Sequence, residues 1–365
     1  MLSRALAIVA RFSKWITIVT VVCLVISVII VVFDVKRTFD AELMSPSFER
    51  HASQYHSMHE MYKMMREDND ISHAYGRYDL TKNVENTTEK IYGYGPLQDP
   101  SEFDVRIFIV CNQHGRELIT GEVCYSMIRL LQMYVQDGEL TMGVGKLQME
   151  NVGFWIVPVA NPWARNQVER NDSAICRRTN ANGVDLNRNY PSIIERHEDG
   201  DEEEYQGSEF FSEYESVAVA EFLKYSNAHV LFNVHSGGKD VILPYDGRTD
   251  IPPNYAVMVD LAKKARESSG LADCNVGMSS ILYGTTSDAS LGTLVDYAMD
   301  SGQVDLAFTL EVYADYSVEN VANLDGLQCQ QFFNPPEGEK LIKTQREWVK
   351  FILDLCTELL FVIEK

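Results

Sequence analysis

His114-Gly115-Arg116-Glu117 sets an imidazole and a carboxylate three residues apart, and the chain supplies a second imidazole at His235 and a further carboxylate at Glu311. Two histidines and one glutamate make a ligand set for catalytic zinc with a position left open, and the spare carboxylate can move a proton. A spacing of three brings His114 and Glu117 to one side of a helical turn, within reach of a single ion. The predicted chemistry is metal-assisted hydrolysis, with His114, Glu117 and His235 as ligands and Glu311 beside them.

Such residues need a frame. Val105-Arg106-Ile107-Phe108-Ile109-Val110-Cys111 is a short apolar run of strand type, broken by the turn residues Asn112-Gln113-His114-Gly115. The run 230–234 repeats the arrangement, with His235 at its end and Ser236-Gly237-Gly238 as the turn. Open α/β sheets collect ligands at such strand ends. Strand-like runs occur at 103–111, 152–159, 229–234 and 304–312, the last containing Glu311. Helical segments such as 121–135, 214–225 and 255–268 lie between them. The alternation predicts an α/β fold, a mixed sheet with helices on both faces. Met58, Met61, Tyr62, Met64 and Met65 recur at helical spacing as a core-facing stripe, and 341–363 reads as one long amphipathic helix on the sheet.

With 365 residues and 45% hydrophobic content the chain can fill one large core. Its 53 acidic and 32 basic residues leave a net charge of −21, which excludes a nucleic-acid partner and favours cationic small molecules or peptides. Neither a P-loop nor a G-x-G-x-x-G is present, which argues against a nucleotide cofactor. Trp15 to Phe33 is an uncharged apolar stretch long enough to span a bilayer, preceded by Arg4, Arg11 and Lys14. The expected organisation is a cytosolic tail (1–14), a transmembrane signal anchor contacting lipid (15–33), a stalk (34–50) and one folded domain (51–365). That makes a type II single-pass protein with its domain in the secretory-pathway lumen or outside the cell; a cleaved signal peptide is the rival reading. Asn86-Thr87-Thr88 and Asn171-Asp172-Ser173 are glycosylation acceptors in an exported chain. Cys111, Cys124, Cys176, Cys274, Cys329 and Cys356 permit up to three disulfides, with the pairing open.

A longer pattern joins these marks. His114-Gly-Arg-Glu117, Asn180-Ala-Asn-Gly-Val-Asp-Leu-Asn187-Arg188-Asn-Tyr-Pro191, His235-Ser236 and Glu311 resemble, in order and spacing, the zinc metallocarboxypeptidases of the carboxypeptidase A/B type. The resemblance runs from about Tyr55 to the C-terminus. It implies an α/β sandwich around a mixed eight-stranded sheet, one Zn2+ ion, and release of one residue from a peptide or protein C-terminus. It gives His114, Glu117 and His235 the zinc and Glu311 the role of general base. Arg177 matches the arginine that polarises the scissile carbonyl, with Arg178 as the alternative register. Arg188, assisted by Asn187, matches the group that grips the free α-carboxylate, where a planar guanidinium binds in a bidentate way that lysine cannot. Arg116 is an auxiliary carboxylate contact, and Tyr283 corresponds to the mobile tyrosine that closes on substrate.

The chain also departs from that pattern. Asp296-Tyr297 follows Tyr283 later than in the family, so the intervening loop carries an insertion; Ala160-Asn161-Pro162-Trp163 lacks the usual glycine, and Gly237 stands where pancreatic enzymes have tyrosine. Asp246 falls where one branch carries an acid for C-terminal Lys or Arg, whereas Val295 falls where an apolar residue suits bulky side chains. An unpaired buried charge outweighs an apolar wall, so the lean is to basic termini. The acidic run 195–204 steers cationic peptides or is a solvated loop. The resemblance further suggests no room for an inhibitory pro-domain, and only about one strand and one helix after Glu311. Remaining alternatives are a hydrophobic-terminus carboxypeptidase, a γ-glutamyl or peptidoglycan peptidase, an aspartoacylase-type amidohydrolase, and an inactive binding module. Oligomeric state is open.

Overall fold

Eight strands make one sheet in the order β1-β2-β4-β3-β5-β8-β6-β7. They are β1 (Tyr75–Asp79), β2 (Tyr92–Pro96), β3 (Val105–Cys111), β4 (Val152–Val157), β5 (Val230–His235), β6 (Gly238–Leu243), β7 (Asn275–Met278) and β8 (Leu306–Tyr313). The computed structural model describes residues 43–69, 74–84, 87, 89–136, 151–170, 174–194, 202–284, 290–318, 324 and 326–363. The expected tail, membrane segment and first part of the stalk, Asn86, Asn171 and positions 195–201 of the acidic run lie outside the described residues. No described helix is long and apolar enough to cross a membrane.

The four central strands are mutually parallel, with β3 between β4 and β5, and β8 beyond β5. Antiparallel pairing of β1 with β2, β2 with β4, and β6 with β8 makes the sheet mixed. The described helices are α1 (Pro46–Ala52), α2 (Met58–Asn69), α3 (Leu118–Gln136), α4 (Pro162–Arg170), α5 (Tyr214–Ser226), α6 (Tyr255–Ser269), α7 (Ser279–Leu282), α8 (Leu294–Asp300), α9 (Gly326–Phe333) and α10 (Glu339–Ile363). Alternate residues of the central strands enter two cores. Ile107, Ile109, Phe154, Ile156, Phe232 and Phe308 pack with α3, α6 and α10; Phe108, Val110, Trp155 and Leu231 pack with α5 and α8. Burial on both sides explains why these strands read as continuous apolar runs. Each such side chain contributes roughly 1.5–3 kcal/mol on leaving water.

Peripheral strands were harder to foresee. In β2 a Cβ at Gly93 would lie 2.4 Å from Phe222 and one at Gly95 2.7 Å from Trp155, so large aromatics from elsewhere occupy the space of the missing side chains. That substitution removes the alternation by which a strand is recognised.

Residues 43–50, the last part of the expected stalk, pack on the folded domain. Ser45 caps α1 by accepting from the Phe48 amide at 3.0 Å, Leu43 and Phe48 are buried, and Arg346 donates to the Leu43 carbonyl at 2.8 Å. After β8 come the two helices α9 and α10, with no further strand among the described residues. Disulfides join Cys111 to Cys124 and Cys176 to Cys329, while Cys274 and Cys356 are buried free thiols.

Candidate active site

The C-terminal ends of three parallel strands carry the predicted chemistry. His235 ends β5 directly opposite Glu311 of β8, and the loop holding His114 and Glu117 leaves the end of β3. Asn112 turns that loop at φ 54°, a left-handed conformation that asparagine tolerates. Its amide then donates to the carbonyls of His114 at 2.7 Å and Glu117 at 3.2 Å. Gly115 is required by space: a Cβ would lie 2.7 Å from that of Ala164 in α4. The Cys111–Cys124 bridge ties this strand end to α3. His114 and Glu117 therefore occupy a braced turn, with the Glu117 amide on the His114 carbonyl at 3.3 Å, ahead of α3.

His114, Glu117 and His235 are buried and present ligand atoms all within 4.8 Å of one another. His114 Nδ1 lies 2.6 Å from Glu117 Oε1 and 3.2 Å from His235 Nδ1, which in turn lies 3.1 Å from Glu117 Oε2. On its far side His114 Nε2 meets Asp185 Oδ1 at 3.0 Å, the carboxylate contact that orients a metal-ligating histidine and leaves Nδ1 as an electron-pair donor. Converging lone pairs from two imidazoles and a carboxylate suit a dication, and the donor set matches zinc. Burial alone raises the Glu117 carboxyl, but the two histidines outweigh it and hold it well below the usual range. Burial likewise opposes the charge on Asp185, and Arg178 and His114 overcome it.

Glu311 faces this set. Burial pushes its carboxyl up to about 7; His235 pulls it back, while Glu117 and Asp240 add to the rise. Its Oε2, His235 Nε2, Ser236 Oγ and Arg188 Nε are buried without a hydrogen-bond partner among the described residues. Unpartnered polar atoms on residues at and beside the metal set are what a site built for a ligand leaves open.

The arginines fall out differently from the sequence expectation. Arg177 is exposed, its guanidinium 5.8 Å from the centroid of the Trp163 ring, and the structure does not bring it to the metal set. Arg178 stands there instead, donating to Asp185 Oδ2 at 2.7 and 3.0 Å with Nη1 3.3 Å from His114 Nδ1 and 4.0 Å from Glu117. The reason is the backbone: Arg116 and Gly115 amides donate to the carbonyls of Arg177 and Arg178, so the segment runs along the metal loop with its successive side chains on opposite sides.

Arg188 is only 7% exposed, held by the Asn187 carbonyl at 3.1 Å and by Glu204 at 3.1 Å. Asn187 Oδ1 accepts from the Leu294 amide at 3.1 Å and from Asn233 at 3.2 Å. Asn233 accepts from Gln113 at 2.6 Å, and Gln113 from Tyr190 at 3.2 Å. This buried chain fixes the orientation of the Asn187 side chain. Arg116 lies over the Phe333 ring at 4.3 Å and donates to Glu203 at 2.9 Å. Both predicted carboxylate-binding arginines thus carry a glutamate from the short acidic turn Glu202–Glu204.

Asp246 follows the cis Pro244–Tyr245 peptide, with Arg188, Thr293 and His235 as its electrostatic neighbours. Burial pushes its carboxyl up to about 6. Asp296 accepts from the Asp246 and Gly247 amides at 2.9 and 3.2 Å; burial and the adjoining Asp246 push it up to about 8. Val295 is fully buried in the core beneath. Tyr283 is half exposed and donates to Asp240 at 2.7 Å. Sequence reasoning passed over Asp185, Gln113, Asn233 and Asp240; only Asp185 carried a signal, lying inside the Asp-Leu-Asn-Arg motif.

The "Zinc carboxypeptidase" family model matches residues 58–350. Carboxypeptidase B of Bos taurus is 24% identical over 280 residues, covering 68% of this chain and 64% of its own length. Mast cell carboxypeptidase A of Homo sapiens is 25% identical over 276 residues, covering 65% of this chain and again 64% of its own. The chain thus spans less than two thirds of the length of these relatives. Among solved structures, thrombin-activatable fibrinolysis inhibitor superposes with a TM-score of 0.67 at 19% identity, covering 89% of this chain and 80% of that one. Carboxypeptidase A of Helicoverpa armigera gives 0.60 at 18%, covering 83% and 74%. These likenesses establish a shared fold, and with the family match over most of its length this chain belongs to the zinc carboxypeptidase family.

Proposed function

We propose that this chain hydrolyses the C-terminal peptide bond of peptides or proteins and releases one amino acid. The observation that carries this reading is that Asp185, which meets the metal-set histidine His114 at 3.0 Å, caps the short turn Leu186–Arg188, so one turn couples the metal set to a buried guanidinium. His114, Glu117 and His235 would hold a zinc ion, which when bound would supply the Lewis acidity that makes water nucleophilic near neutral pH. Glu311, its carboxyl raised by burial, accepts the proton of the attacking water and delivers it to the amine nitrogen as the C–N bond breaks. Arg178 faces the charge that develops on the carbonyl oxygen, and Asp185 keeps it aimed. Arg188 and the Asn187 amide take the free α-carboxylate, with Arg116 nearby. Glu204 must release Arg188 before that carboxylate enters.

The pocket for the departing side chain has Asp246 in its wall, which favours Lys and Arg termini, since a cation would relieve a buried carboxylate. Residues 15–33 anchor the chain with the domain in the lumen or outside the cell; the two disulfides support an oxidising compartment. Protease protection of residues 51–365 in intact microsomes tests this, and digestion without detergent would contradict it. For the activity, the zinc-loaded protein is incubated with peptides ending in Arg, Lys, Phe, Leu and Glu. Release of one residue, fastest from Arg and Lys and abolished by a chelator, supports the reading. Zinc binding without release from any peptide would favour a binding module.

A further inference from the structure

Asp240 is a buried carboxylate that the chemistry above does not use. It lies on β6 opposite Glu311 of β8 and beside Asn275 of β7, so its side chain shares the sheet face of the cleft. It is 5% exposed. Its Oδ1 accepts from the Asn275 side chain at 2.7 Å and backbone at 3.3 Å, and its Oδ2 accepts from the Tyr283 hydroxyl at 2.7 Å. A Cβ on Gly238 would lie 3.4 Å from that hydroxyl and 3.1 Å from Glu311 Cβ, so the phenol crosses the sheet at a glycine and ends next to Glu311. Tyr283 is the C-cap of the four-residue helix Ser279–Leu282 and its ring is half exposed; a bond from its hydroxyl to a buried carboxylate is among the stronger single tethers.

We infer that Asp240 is a positioning residue that tethers Tyr283 over Gly238 beside Glu311, holding the ring at the cleft before substrate arrives. The inference rests on the reading of Tyr283 as the residue that closes on substrate. Asn275 holds the other carboxylate oxygen and so prevents Asp240 from turning away with the tyrosine. The tether contributes to substrate retention: a ring already held at the cleft loses less freedom on binding.

Two measurements on the zinc-loaded protein separate this inference from the activity itself. Tetranitromethane attacks phenolate, and a hydrogen bond from the phenol to a carboxylate disfavours that form, so nitration of Tyr283, mapped by mass spectrometry, reports the tether directly. Asp240→Leu should speed nitration at Tyr283 by about fivefold or more while leaving Tyr205 unchanged; an unchanged rate at Tyr283 overturns the inference whether or not peptides are cleaved. Asp240→Asn keeps the shape and one acceptor, and should give a smaller rise in the same direction. In steady state Asp240→Leu should raise KM more than it lowers kcat, and combining it with Tyr283→Phe should cost no more than about twofold beyond Tyr283→Phe alone. Full multiplication of the two losses would mean that Asp240 acts independently of the tyrosine. A Tyr283→Phe variant of unaltered kcat/KM, with faster nitration in Asp240→Leu, would keep the tether and discard the closing role.

Discussion

The metal half and the substrate half of the cleft are held in different ways. His114, Glu117, His235 and Glu311 sit at the ends of parallel strands whose neighbours are buried on both faces, and Asn112, Asp185 and the Cys111–Cys124 bridge brace them. Arg116, Arg188 and Tyr283 instead end in ion pairs or hydrogen bonds with Glu203, Glu204 and Asp240. The first half is rigid and preset for one ion. The second is self-satisfied: in the proposed role Arg116 and Arg188 are parked on glutamates that substrate must replace, whereas Tyr283 is held in place by Asp240. Rigid support suits groups that act at the transition state, whereas replaceable partners suit groups that must exchange ligands in each cycle.

Breaking the rigid half should cost most. Glu311→Gln should lower kcat by about 10²-fold or more with zinc content unchanged, since it removes the proton acceptor but no ligand; metal analysis with steady-state rates checks both. Arg178→Ala should cost about 10²–10³-fold in kcat, the loss expected for one oxyanion donor. Arg177→Ala, on the surface, should stay near the parent rate, and the reverse ranking would restore the register first expected.

The substrate half should answer in KM. Arg188→Ala removes a charged, doubly donating partner and should raise KM by about 10- to 100-fold. Glu204→Gln should lower KM by about two- to fivefold, because an exposed ion pair competes weakly and is screened by salt. Added salt should raise KM less in the parent, where it also weakens the competing Glu204 pair, than in Glu204→Gln; equal responses would sever Glu204 from the cleft. The acid limb of kcat/KM joins the halves. Glu311 acts as base only when deprotonated, and burial pushes it up to about 7, so activity should fall as pH drops through its value, about tenfold per unit well below it. A dication bound beside it lowers that value; a limb that persists in Glu311→Gln would assign it to another group.

The same division governs what the sequence disclosed. The central strands were legible because burial on both faces makes continuous apolar runs, and the motif residues were legible because catalysis requires particular types at their ends. The outer strand β2 escaped because Gly93 and Gly95 yield their space to Phe222 and Trp155. Residues 43–50 read as a polar stalk because Leu43 and Phe48 are their two buried apolar residues, and the Ser45 cap is a local signal easily passed over. Arg177 and Arg178 are adjacent, and composition cannot say which faces the cleft; pairing with Asp185 decides it. Gln113, Asn233 and Asp240 matter through partners distant in sequence, which spacing alone does not reveal.

The central claim is that one cleft joins hydrolysis to capture of a free C-terminal carboxylate. Its most direct test is a pair of peptides identical except at the end, one a free acid and one an amide, given to the zinc-loaded protein. Cleavage of the acid alone, releasing one residue and lost in Arg188→Ala at subsaturating substrate, is the predicted result. Equal cleavage of both would contradict the role of Arg188 and make this chain a hydrolase of another kind.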